Sequence, residues 1–132
     1  MNKVFLSIDY GTKRIGLALA FGPLAEPLKI ISTHEAIPNI GSIIEEHVVT
    51  DLVVGESEGV MEQKSRQFAN LLENAFHLPI HFQNETLSSV EVHENLKIMK
   101  ASKSKKRQHI DNYAATAILQ DFLDEQKPFS LL

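Results

Sequence analysis

Cysteine is absent from all 132 residues of this chain. That excludes a disulfide framework and any thiolate-ligated metal, and it suits a reducing cytosol. Long apolar runs are absent too. The first extends only about five residues before Asp9, well below a signal-peptide core or the roughly 20 residues of a membrane span. There is no helical histidine pair: His77 and His81 are four apart, but Pro79 between them breaks any shared helix face, which argues against zinc. All six histidines read as surface residues. No repeat, low-complexity tract or Pro/Gly/Ser linker marks a boundary. With 43% hydrophobic content the chain can bury one real core and is too short for two, so the expectation is a single domain, 1–132, soluble and cytoplasmic, with no membrane partner.

Acidic residues are missing from one stretch of an otherwise acidic protein. Between Lys97 and Arg107 lie Lys97, Lys100, Lys103, Lys105, Lys106 and Arg107 with no Asp or Glu among them, although the net charge is −4. A cationic patch on an acidic body attracts a polyanion locally while the bulk charge discourages indiscriminate binding. A solvated lysine-rich loop has the same composition.

Periodicity predicts an opening meander followed by α/β alternation. Residues 3–9, 14–20 and 28–33 read as strands, with Gly22-Pro23 and Glu26-Pro27 punctuating the approach to the third. A short helix is expected over 40–49 and a strand buried on both faces over 52–54. A helix over about 61–76 carries the stripe Phe68, Leu71, Leu72 and Ala75. A fifth strand covers 79–83, a helix capped by Ser88 and Glu91 runs to about Met99, and a last helix spans about 110–125. Three antiparallel strands and two helix-linked ones imply a mixed sheet covered by helices on both faces.

The chemistry gathers at strand ends. Val4, Leu6 and Ile8 share one face of the first strand, and Phe5, Ser7 and Asp9 the other, so Asp9 closes an apolar strand with a carboxylate before the chain turns at Gly11, where glycine tolerates positive φ. An Asp beside Gly is also an ordinary turn pair, so the other strand ends have to decide. The fourth ends in Gly55-Glu56 and the fifth runs through Gln83-Asn84 into Glu85. In the last helix Asp111 shares a stripe with Ala115, Ile118 and Phe122, and the small Ala114 and Ala115 let that helix approach the sheet closely. Asp9, Glu85 and Asp111 can then converge. Carboxylates about 5 Å apart repel by roughly 3 kcal/mol at an effective dielectric near 20, so three of them need protons or a hard cation, Mg²⁺ or Mn²⁺.

The segment Ile8-Asp9-Tyr10-Gly11-Thr12-Lys13-Arg14-Ile15-Gly16-Leu17-Ala18, the Val53-Val54-Gly55 strand end, Glu85, and Asp111-Asn112-Tyr113-Ala114-Ala115-Thr116-Ala117-Ile118-Leu119 closely resemble the bacterial YqgF (RuvX) family in order and spacing over nearly the whole chain. The resemblance implies a ribonuclease-H-like fold and a nuclease processing the 5′ end of precursor 16S ribosomal RNA. It also implies Asp9, Glu85 and Asp111 as catalytic acids and metal ligands in a two-ion hydrolysis leaving 5′-phosphate and 3′-hydroxyl ends. Lys13, Arg14, Lys103, Lys105, Lys106 and Arg107 would hold phosphates without reading bases. Gly11, Thr12 and Gly55 are auxiliary candidates. Two departures stand out: Glu56-Ser57 replaces the usual Leu-Pro, and Asn84-Glu85-Thr86 replaces an Asp-Glu-Arg triplet, so Glu56 or Glu58 is a candidate compensating carboxylate. Other readings are a Holliday-junction-resolvase-like nuclease for branched DNA, an RNA-binding module with weakened activity, and, since Asp-x-Gly-Thr also resembles the phosphate hairpin of actin-like sugar kinases, a nucleotide binder. The last needs two domains around ATP. The protein would act as a monomer or homodimer.

Overall fold

Strand β1 (Phe5–Asp9) divides its side chains between two cores. The computed structural model describes residues 2–56, 60–84 and 103–126, without the side chains of 60 and 103–112. After β1 come β2 (Arg14–Ala20), β3 (Glu26–Ser32), a 3-10 turn, α1 (Ala36–His47), β4 (Asp51–Glu56), α2 (Val60–Phe76), β5 (Ile80–Asn84) and α3 (Lys103–Gln126). The sheet order is β3-β2-β1-β4-β5. Strands β1 to β3 form the antiparallel meander, and β4 and β5 run parallel to β1, as the sequence pattern predicts. The expected helix over 88–99 falls outside the described residues.

On one face Leu6, Ile8, Ile15, Leu17, Leu52 and Val54 meet Ile40 and Ile43 of α1 and Phe68 and Leu72 of α2. On the other, Ala18, Ala20 and Val53 meet Ala115, Ile118, Leu119 and Phe122 of α3. Each fully buried Leu or Ile contributes roughly 1.5–3 kcal/mol of transfer free energy. The contrast is steric: branched residues fill the α1/α2 face, whereas alanines on β2 let a single helix lie close to the other.

Several elements depart from the sequence expectation. Glu26 and Pro27 do not punctuate β3 but belong to it. Strand β3 is an edge, where a missing N–H is tolerated, and a register shift opposite Leu17 and Ala18 absorbs the irregularity. Helix α1 starts at Ala36 rather than near Ile40, because Pro38 falls in its first turn, where no intrahelical donor is needed. Along α2 the buried stripe is Ser65, Phe68, Ala69 and Leu72, while Leu71 and Ala75 face outward. Helix α3 begins at Lys103, not near Ile110, so the cationic stretch from Lys103 to Arg107 forms its first turns. Charge composition alone does not separate such a turn from a loop.

Candidate active site

Asp9 pairs with Gly16 of β2, and the parallel register that sets Ile8 beside Val54 sets Asp9 beside Gly55 of β4. The half-buried carboxylate at the end of β1 is thus flanked on both neighbouring strands by glycine, and no side chain from either crowds it. The turn that follows needs Gly11 for a reason other than the expected positive φ. A Cβ there would stand 2.4 Å from the carbonyl oxygen of Arg14, which no substitution relieves without moving backbone. The Thr33 hydroxyl donates to the Gly11 carbonyl at 2.7 Å, and the Thr33 amide to that of Lys13 at 3.1 Å, tying the turn to the end of β3. Thr12, Lys13 and Arg14 are exposed at this end of the sheet.

Helix α3 runs back along β1. Phe122 packs edge-on against Phe5, with ring centroids 5.4 Å apart, and the buried Ser7 hydroxyl donates to the carbonyl of Ala115 at 2.7 Å. From Phe122 to Ala115 the helix therefore advances in the direction in which β1 advances from Phe5 toward Asp9. Residue 111 lies one further turn along the same helix face. The stripe predicted to carry it is buried: Ala115 and Ile118 are 0% exposed and Phe122 5%. The side chains of Asp111, Lys103, Lys105, Lys106 and Arg107 are outside the described residues, as are Glu58 and Glu85 entirely. Strand β5 ends at Asn84, the residue before Glu85 in the sequence, at the same sheet end as Asp9. Among the described residues no three His, Cys, Asp or Glu side chains gather into a metal-binding group.

Glu56 does not take the compensating place considered for it. By the alternation of β4 it shares a face with Leu52 and Val54, opposite to Asp9, and it is ion-paired with Arg66 of α2. Arg66 in turn lies over the ring of Phe82, 4.8 Å from its centroid. On Asp9's side of the sheet Gln83 is buried, and its amide donates to Glu125 at 2.9 Å.

Sequence reasoning missed two features. One is Ser7, an inconspicuous small residue whose hydroxyl joins α3 to β1 two residues from Asp9. The other is Asp51, at the amino end of β4 and 1% exposed. Lys3 Nζ lies 3.3 Å away, the Thr50 hydroxyl 2.7 Å and His81 Nε2 2.9 Å. Burial alone would raise its carboxyl pKa, but the hydrogen bonds from His81, Thr50 and Lys3, with the charge of Lys3, outweigh burial and hold it below the ordinary value. His81 is consequently a half-buried hydrogen-bond partner of Asp51, not the surface residue expected. Its alternation with Phe82 in β5 and the lone acid before Leu52-Val53-Val54 were the available signals.

This sheet, with a helix lying across its Asp9 face, is the ribonuclease-H-like architecture of the resolvases. The fold matches RuvC of T. thermophilus, determined in complex with a Holliday junction substrate, with a TM-score of 0.59 and 13% identity over 93% of this chain and 96% of that one. It matches the fowlpox virus resolvase, determined with Holliday junction DNA, with a TM-score of 0.60 and 12% identity over 95% of this chain and 99% of that one. The sequence profile of the RuvX family, described as Holliday junction resolvase, matches residues 3–125, and the chain belongs to that family. A relative from Leuconostoc citreum, named "Putative pre-16S rRNA nuclease", is 34% identical over 95% of this chain and 97% of its own length. Among the described residues no helix is long and apolar enough to cross a membrane.

Proposed function

We propose that this chain is a divalent-metal-dependent nuclease that hydrolyses phosphodiester bonds in precursor 16S ribosomal RNA, acting as one domain. The observation that carries the reading is the placement of Asp9: a strand-end carboxylate between two glycines, under a helix whose register along β1 leads toward residue 111. Family membership and the name of the Leuconostoc relative support the choice of reaction and RNA. The donor set fits Mg²⁺ or Mn²⁺, since carboxylate oxygens suit hard cations and the chain has no thiol. Asp9, Glu85 and Asp111 would hold the metal. When bound, a pair of such ions activates water and stabilises the leaving oxygen of an in-line displacement.

The chain's own groups do the rest. Gly16 and Gly55 leave the phosphate room to approach Asp9, and Ser7 fixes the height of α3 above β1. Lys13 and Arg14 at the hairpin, with Lys103, Lys105, Lys106 and Arg107 on the first turns of α3, supply cationic contacts to phosphates.

The test is cleavage of a model precursor 5′ leader by purified protein with Mn²⁺, beside a four-way DNA junction of equal charge. Cutting of the leader, lost in Asp9→Asn with binding retained, is expected. Cutting of the junction alone would move the substrate to branched DNA, and undiminished turnover in Asp9→Asn would remove Asp9 from the site.

A further inference from the structure

On the face of the sheet opposite Asp9, the β1–β2 turn and α2 enclose a groove of about 240 Å³ lined by Tyr10, Thr12, Lys64, Gln67, Phe68 and Leu71. We propose that this groove receives a single unpaired base of the RNA strand, from a nucleotide flanking the bond that is cut; the assignment rests on the nuclease reading above. Continuity places it there, since Tyr10 follows Asp9 directly and points to the other face, so one wall of the groove starts a residue away from the candidate metal ligand.

The lining has the composition that base recognition needs. The Tyr10 ring is braced by the buried Phe68, with centroids 5.0 Å apart and planes tilted by 36°, which holds it rigid while it stays half-exposed. Leu71, 57% exposed, forms an apolar second wall, and this accounts for a leucine turned away from the core in an otherwise amphipathic helix. Gln67 offers an amide with both donors and an acceptor to a base edge, and Lys64 on the same helix offers a charge to the adjoining phosphate. An aromatic platform beside a cation is the usual arrangement for single strands. The volume sets the occupant's size. It is below the roughly 300–1,000 Å³ that encloses a drug-sized ligand, so it suits one base and not a free nucleotide triphosphate.

The full-length Asp9→Asn protein, bound to single-stranded RNA carrying 2-aminopurine at one position at a time, tests this. Stacking should quench one position next to the cut site and leave the others bright. Lys64→Ala and Gln67→Ala, both on the exposed side of α2, should restore that signal and weaken binding about fivefold to tenfold. In the Asp9 protein the same variants should raise KM by a similar factor with kcat and Tm unchanged. Uniform quenching, no RNA binding, or a KM untouched by both variants would overturn the groove assignment, as would quenching displaced by free ATP. The two readings fail separately: a localised, variant-sensitive quench in a protein that cuts nothing sinks the nuclease, whereas cutting that both variants leave unchanged sinks only the groove.

Discussion

The central strands carry a buried or half-buried aspartate at each end, and the protein treats the two in opposite ways. At the amino end of β4, Asp51 is enclosed and its charge is answered from within by Lys3, Thr50 and His81. At the carboxyl end of β1, Asp9 lies between Gly16 and Gly55, with the sheet cleared on both sides. A buried carboxylate costs several kcal/mol unless it is paired, so the neighbours chosen for it indicate its role. Asp51 has the surroundings of a structural anchor, whereas Asp9 stands at a strand end where the neighbouring glycines leave space beside it.

Exchanging each aspartate for asparagine breaks the comparison most sharply. Asp9→Asn should lower cleavage by about a thousandfold or more with little change in Tm, because a neutral amide is a poor partner for a divalent cation. Asp51→Asn should do the reverse, leaving kcat near that of the parent while costing about 1–3 kcal/mol of stability, measured by urea unfolding at pH 7. The stability effect should depend on pH with a definite sign. Because the folded-state pKa of Asp51 is depressed, its contribution is complete above the unfolded carboxyl value of about 3.9 and disappears as pH falls through the lower folded value. Parent and Asp51→Asn curves should therefore converge in strong acid. A gap that persists below that range would mean the aspartate acts through packing and not through its charge.

Smaller effects sharpen the same contrast. Ser7→Ala removes the hydrogen bond that ties β1 to the Ala115 carbonyl of α3, and it should cost about 1 kcal/mol. It should also lower kcat several-fold with KM nearly constant, since the helix carrying residue 111 loses its fixed height; Ser7→Thr should restore part of this. At the end of α1, Val48 has φ of 55° and is 71% exposed, an unfavourable setting for a β-branched residue. Val48→Gly should stabilise the fold by about 1 kcal/mol in thermal unfolding and leave cleavage unchanged.

Much of this was legible in the sequence because it follows from period and parity. The alternation through Val4 to Asp9 assigned Asp9 to its face, and the stripe Ala115, Ile118, Phe122 identified the helix side that packs on the sheet. What periodicity did not reach was set by tertiary pairing. Pro27 reads as a break until β3 is known to be an edge, and Leu71 reads as core until α2 is seen rotated toward Ala69. Glu56 reads as a spare ligand until its strand parity places it across the sheet, beside Arg66. The Asp51 cluster joins Lys3, Thr50 and His81 from three separate segments, a meeting that no local pattern announces.

The most direct test is a crystal structure of the full chain soaked in Mn²⁺, read by anomalous scattering. Manganese held at about 2.0–2.2 Å by carboxylate oxygens of both Asp9 and Asp111, with Glu85 completing the ligand set, is the result expected. Manganese bound elsewhere, or an Asp111 carboxylate turned away from β1 while Asp9 binds no ion, would contradict it.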